Sequence, residues 1–448
     1  MRRPLVLGVF EMVNPSNGMP TWTHPLAKLL DAADFDFLFF ADTYGYATID
    51  GAMPPAVAEH GIQFPGLDPM LLLTALARET DRLGLVVTSP TTVERPYASA
   101  RRFATLDHWT GGRVGWNIVT GSSQTTTDAL FGIENSGTHD SRYDVGDEFV
   151  DVCLELWEGG WEDDAVIRDR KRNVLVDPAR LHPIAHRGAH FSASGIFAVP
   201  PGPQRSPVLF QAGTSARGRA FAARNAEAVL IQGQSIARAA EHVADLRLQA
   251  ERHGRGARDL QVISGATVTV APTHDEAVVL RRELEALYTI EDAAVIFAGF
   301  TGVDMTGLDP DQPLTSIDSD QGQTLVDRFV RPGAPVPTVR TVLDDFRKKA
   351  NRGFQITGDP VEVADELEAI AIGSDLDGFM LEPTFGGAEA FAAFIELVQP
   401  ILRERGLLPP SRHEEHPTLR GRMSRTADGR LPAAHPGARF RDAHRKDA

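Results

Sequence analysis

The 448-residue chain has a single cysteine, Cys153. No intrachain disulfide can form, so nothing asks for an oxidising compartment. Cys153 lies in the helix-periodic run EFVDVCLELW, with no neighbour to activate a thiolate, and reads as a small core residue. Positive charge is short as well. Lys and Arg total 45 against 61 Asp and Glu, a net charge of -16, which excludes the basic face that nucleic acid requires. No apolar run reaches the length of a membrane-spanning helix. The opening MRRPLVLGVFEM has the basic start of a secretory leader, but its apolar stretch stops at Glu11 and no cleavage site follows. It reads as a first strand, and a cytoplasmic location is expected.

Several catalytic signatures are missing too. There is no HExxH, CxxC or GxSxG, so zinc-protease and serine-hydrolase readings lose their main support. His182, His186 and His190 in LHPIAHRGAH have a spacing that would align three imidazoles on a helix. Pro183 and Gly188 argue against that helix, and no metal is expected.

What the sequence does hold is a soluble composition, 42% hydrophobic and 24% charged, and a regular alternation. Eight short apolar runs alternate with helical patterns: PLVLGVF, FLFFAD, LVVTSP, RVGWNIVTG, PVLFQAG, EAVLIQ, LQVISGATVTVA and DGFMLEP. Near-continuously apolar strands, each followed by a helix, imply a parallel sheet covered on both faces. Count and length suit an α/β fold of the (β/α)8 TIM-barrel type. A doubly wound open sheet is the alternative, but FEMVNPSNG stands where its Gly-x-Gly-x-x-Gly turn belongs. The barrel is expected over residues 1–408 as one domain, with insertions at 160–206 and 291–351 on the strand-exit side. The polar tail 409–448 is expected on the surface or on a neighbouring subunit.

Active sites of parallel barrels form where strands end. The polar residues there are Glu11, Asn14, Asp42, Thr43, Thr88, Ser89, Asn117, Thr120, Gln211 to Ser215, and Gln232. Any one of them can simply cap a helix; as a set on one face they suggest a ligand site. QAGTSARGRAFAA offers Gly213 for a tight turn, then Thr214 and Ser215 at a helix start that favours an anion, with Arg217 and Arg219 adding charge. In GGRVGWNIVTG, Gly111 and Gly112 stop a helix. Trp116 and Asn117, being adjacent on a strand, must face opposite ways. Asn117 is assigned inward.

Four phrases carry a resemblance: ARRFATLDHWTGGRVGWNIVTG, THDSRYDVGDEFVDVCLELWEGGWEDDAVIRD, LVDPARLHPIAHRGAHF and PQRSPVLFQAGTSARGRAFAARNAEAVL. Together the chain resembles the bacterial-luciferase-like flavin monooxygenases. The branch is that of the nitrilotriacetate, long-chain alkane and dibenzothiophene-sulfone monooxygenases, and the resemblance runs over essentially the whole length. It implies a (β/α)8 barrel that binds reduced FMN. A separate NAD(P)H-dependent flavin reductase supplies that FMN. With O2 it gives a C4a-(hydro)peroxyflavin that oxygenates a small apolar, aromatic or heteroatom-containing compound. A homodimer or homotetramer is implied as well.

The resemblance places Asp42, Thr88 and Asn117 beside the isoalloxazine ring, and His139, Tyr143, Thr214 and Ser215 at the phosphate. Asn117, Gln63 and Asn14 are the candidate catalytic residues. The chain departs from the long-chain alkane pattern at Asn14, Asn17, Gly121, Ser122, Ile296 and Phe297. Trp22, Tyr44, Tyr46, Gln63, Phe297 and Phe300 would then line an apolar pocket with a few amides, although each aromatic suits a core equally. A deazaflavin (F420)-dependent hydride-transfer enzyme and a non-catalytic flavin-binding protein are the alternatives on the same barrel.

Overall fold

The computed structural model describes residues 4–13, 24–49, 51–121, 123–314, 329, 335–350, 352–384, 388–409, 416–424 and 429–445. Eight strands close into a parallel ring: β1 (Val6–Met12), β2 (Phe37–Ala41), β3 (Gly84–Pro90), β4 (Val114–Val119), β5 (Val208–Gln211), β6 (Ala228–Ile231), β7 (Gln261–Val270) and β8 (Gly378–Leu381). Pairing of β8 with β1 and of β6 with β7 closes the ring, as a TIM barrel requires. The covering helices are α1 (His24–Ala32), α2 (Pro69–Glu79), α3 (Pro96–Thr110), α4 (His139–Leu154), α5 (Ala216–Asn225), α6 (Ile236–Arg252), α7 (Pro360–Ser374) and α8 (389–404, with a π turn at Phe394–Val398).

Local chemistry sets these helices where the strand ends need them. Asp68 caps α2 by accepting from the Met70 N–H, with Pro69 in the first turn. Asp359 and Glu362 form a capping box on α7. Gly111 ends α3 at φ 63°, a left-handed conformation that glycine adopts without steric cost.

Side chains alternate across the ring. Val86, Phe210 and Ile263 fill its interior together with Phe37 and Met380. Trp116 points outward under the helices, 5.2 Å from Phe103 and near Trp157, and its indole N–H donates to the Ser89 carbonyl at 3.0 Å. Its neighbour Asn117 turns inward and donates to Thr88 Oγ1 at 2.9 Å. The strand alternation had anticipated this division.

A further strand, Phe354–Gly358, pairs in parallel with the outer half of β7, residues Ala266 to Val270. It carries the second insertion above the mouth of the barrel. There the helices Ile290–Thr301 and Val339–Lys349 make a small core of their own around Phe297 and Phe346, 5.4 Å apart. The helix Pro55–Glu59, from the segment after β2, joins them through Ala56, Val57 and Val295.

The first insertion corrects the expectation. Residues 160–206 form two hairpins, Val166–Asp169 with Val174–Val176 and Ile184–Arg187 with Ser192–Gly195, at the opposite end of the barrel. They join the end of α4 to the start of β5, and Gln204 Nε2 donates to the carbonyl of Val114, the first residue of β4. A segment that follows a barrel helix arrives where strands begin, not where they end. The histidines of this insertion engage separate acids: His182 pairs with Glu162, and His186 lies between Glu148 and Glu155. Among the described residues no cluster of three or more His, Cys, Asp or Glu is arranged to hold a metal ion.

The tail is the second correction. Much of its described part is buried, although Pro417, Ala433, Ala434 and Arg439 are exposed. Leu419 and Met423 of the helix Leu419–Ser424 complete the interior cluster from below and plug the base of the ring. Arg420 and Arg422 are among the most deeply buried large side chains. Arg420 meets Glu227 at 2.6 and 3.0 Å and donates to the carbonyls of Gln204, Ser206, Pro207 and Gly429. A polar-looking run is buried because every charge in it finds a partner.

Candidate active site

The mouth is built from the residues that follow the inward-facing apolar layer. Asn117 of β4 is 3% exposed. Its amide donates to Thr88, whose hydroxyl donates in turn to the Phe40 carbonyl at 2.8 Å. Among the described residues Asn117 Oδ1 is buried with no partner. A buried acceptor left unmade costs about 1–3 kcal/mol, so the position is arranged for a donor from a ligand.

One edge of the mouth carries the second group. Tyr143 of α4 is buried, and its hydroxyl reaches Thr120, Gln211 and Ser215; burial pushes its pKa up. His139, one turn earlier, stacks edge-on against it at 5.2 Å and sets Nε2 3.4 Å from Ser215 Oγ. Ser215 caps α5 by accepting from the Gly218 N–H at 3.0 Å. A side chain at position 213 would put its Cβ 2.5 Å from both Tyr143 Oη and Gln211 Nε2, so only glycine leaves this cradle open. Thr214 sits half-buried beside it. Arg217 is held by Asp144 and Asp147 at 2.8 and 2.7 Å, and Arg219 by Asp245. Their charge is spent on structure, contrary to the expectation that they add to an anion site.

Across the mouth, Asp42 follows β2. Burial and the nearby Asp68 charge push its pKa up to about 7, against a Thr43 backbone hydrogen bond. Tyr44 donates to Glu94 Oε1 at 3.1 Å and stacks on Phe131. Its pKa is pushed up by burial and then by Glu94. Gln63 places Nε2 3.9 Å from the Met12 sulfur at the end of β1.

The structure thus gathers Thr88, Asn117, Asp42 and Gln63 at the mouth and His139, Tyr143, Thr214 and Ser215 at its edge. Phe297 is not in the pocket. It is fully buried in the core of the insertion, and Phe300 packs against that same core. Tyr46 is bound by backbone hydrogen bonds to Thr126 and lies edge-on to Phe64. Asn14, Asn17, Trp22 and Ser122 lie outside the described residues. Glu382, directly after β8, was missed. Fully enclosed at the mouth, it accepts from Thr267 Oγ1 at 2.9 Å, and burial pushes its pKa up. The strand-end rule applied to DGFMLEP would have found it.

A closed parallel barrel with a polar mouth and a glycine-opened helix start at its edge is the plan of a cofactor-using barrel enzyme. The luciferase-like monooxygenase family model matches residues 20–375, and the chain belongs to that family of flavin-dependent monooxygenases. It is 36% identical to the long-chain alkane monooxygenase of Geobacillus thermodenitrificans (strain NG80-2), over 94% of this chain and 90% of the relative. It is likewise 36% identical to the dimethyl-sulfide monooxygenase of Hyphomicrobium sulfonivorans, over 99% of this chain and 95% of that one. A crystal structure of riboflavin lyase with modified FMN and substrate riboflavin superposes with a TM-score of 0.91 at 39% identity, covering 98% of this chain and 100% of that one. Structures of F420-dependent enzymes superpose at 15% and 16% identity and share the fold alone.

Proposed function

We propose that the chain is the oxygenase component of a two-component system that uses reduced FMN and O2 to oxygenate a small organic compound. A separate NAD(P)H-dependent reductase delivers the reduced FMN. The single observation that carries the flavin assignment is the buried Oδ1 of Asn117, without a partner among the described residues, in a mouth with a glycine-opened cradle at its edge. In this reading Asn117 meets the flavin ring, with Thr88 orienting its amide. The first turn of α5, with Thr214, Ser215, His139 and Tyr143, holds the phosphate through N–H and hydroxyl donors. Bound reduced FMN supplies the electrons that activate O2. The protein positions it, excludes water beneath the insertion helices and keeps a proton at hand on Asp42 near neutral pH.

Rapid mixing with photoreduced FMN tests the reading. Reduced FMN should bind far more tightly than oxidised FMN, and binding of neither form would end the proposal. O2 uptake with a reductase, scored by oxygen mass gain in candidate substrates, tests the oxygenase step. The likeness to riboflavin lyase favours a second reading of the substrate, a flavin-like heterocycle rather than an alkane. A product screen with both classes separates them.

A further inference from the structure

The side of the mouth formed by β6, β7 and β8 differs in chemistry from the rest. Glu382 stands two residues beyond Met380, which lies in the interior cluster, so strand alternation turns it inward. Gln232, directly after β6, gives its amide to Glu382. A Cβ on Gly265 would strike Gln232 Oε1 and come within 2.6 Å of Glu382 Oε1, so the two side chains share the space that this glycine leaves. Glu382 also accepts from Thr267 Oγ1 at 2.9 Å and from the Gly353 N–H at 3.3 and 3.4 Å. Among the described residues Gln232 Oε1 is buried without a partner, and so is Thr269 Oγ1, two residues beyond Thr267 on the same strand. Gln232 Oε1 is an acceptor awaiting a donor, and Thr269 Oγ1 is a hydroxyl that can give or take one.

We propose that Glu382 and Gln232 form a substrate-recognition subsite at the barrel mouth that binds the lactam or imide edge of a neutral heterocycle. A ring N–H fills the empty acceptor at Gln232 Oε1. The adjacent ring carbonyl faces the carboxyl of Glu382, whose pKa burial pushes up, toward the form that can donate. The charge around the mouth fits a neutral ligand and opposes a polycarboxylate. Asp42, Asp68 and Glu94 crowd Tyr44; Arg102 is engaged by Glu94, and Arg352 is the cation near Glu382. The subsite rests on the flavin reading of the same mouth, because Asn117 and the α5 cradle are left to the cofactor.

Equilibrium dialysis of the full chain, saturated with FMN, against lumichrome tests the subsite. The comparison ligand is lumichrome methylated on its imide nitrogen. Lumichrome should bind the FMN-saturated protein, and methylation should weaken it by about tenfold or more. Glu382→Leu and Gln232→Leu should each weaken lumichrome by a similar factor while FMN affinity changes by less than about twofold. If Glu382→Leu does not fold, Gln232→Leu carries the same test. The subsite is overturned if the FMN-saturated protein does not bind lumichrome, if the methylated ligand binds equally well, or if the variants keep full lumichrome affinity. It is also overturned if the variants lose FMN and lumichrome together, which would make the pair structural. Failure of FMN itself to bind overturns the flavin reading instead. In that case dialysis of lumichrome against the FMN-free chain, with the same variants, still decides the fate of Glu382 and Gln232.

Discussion

The two ends of the barrel answer the same problem, polar groups inside a ring of strands, in opposite ways. At the base, Arg420 is matched by Glu227 and four carbonyls, Gln204 bridges Asp107 and Val114, and His435 accepts from Gly437 while facing the Asn225 carbonyl. At the mouth, Asn117 and Gln232 keep buried oxygens without partners among the described residues, and Asp42 holds a proton near neutral pH. The Arg420–Glu227 network closes on its own partners, although Gln261 Oε1 and Glu158 Oε1 at the same end are also buried without one among the described residues. Stability is concentrated at one end and chemistry at the other.

The largest expected effect tests the closed end. Arg420→Ala leaves Glu227 buried and unpaired, at a cost of about 3–5 kcal/mol. Urea unfolding should show this loss, and adding Glu227→Gln should recover part of it. FMN affinity of the folded fraction should be unchanged. An equal loss of FMN binding would erase the distinction between the ends.

Next in size is a pair of pH slopes of opposite sign. His435 is held neutral, its pKa lowered by burial to about 3. The unfolded chain protonates it near the ordinary 6.5, so its stabilisation is present above that pH and is lost as pH falls toward 3. Asp42 titrates near 7 in the fold against an ordinary 3.8. Its contribution is therefore present at low pH and lost as pH rises from about 4 to 7. Each slope is at most about 1.4 kcal/mol per pH unit. Between about pH 4 and 6.5 the two slopes oppose each other, so His435→Gln should leave stability falling as pH rises there, and Asp42→Asn should leave it rising. Slopes of the same sign would contradict the assignment.

The smaller effects belong to the open end. Ser215→Asp should weaken FMN by charge repulsion at the phosphate, by about tenfold or more in titrations, with little change in melting temperature. Asn117→Leu should weaken it by about tenfold and leave stability nearly level, because it removes an unsatisfied acceptor along with a hydrogen bond. A large stability loss from Asn117→Leu would place that residue with the base in character.

The sequence showed the barrel well because strand hydrophobicity and glycine stops are local signals. The split between Trp116 and Asn117 needed only strand alternation. The strand-end list also found residues that meet in space, from Thr88 to Ser215. The tail was misjudged because Arg420 looks solvent-seeking until Glu227, nearly two hundred positions away, is known to lie beside it. Phe297 was misplaced for a similar reason. An aromatic in an insertion can line a pocket or fill a private core, and only the packing of Phe346 against it decides. The elevated pKa of Asp42 comes from its burial and then from the Asp68 charge, brought close only by the fold, and no spacing rule announces either.

The plug at the base has a consequence for how the molecule is made. Leu419, Arg420 and Met423 close a ring whose first strand begins at Val6. A chain emerging from the ribosome can pair strands and pack helices early, yet its floor is delivered only after all eight strands have been made. Until then Glu227 waits without its arginine, and the lower ring is open to water. Completion of the barrel therefore waits on the helix Leu419–Ser424, and a nascent chain stalled before residue 419 should be open to proteases that the finished protein resists.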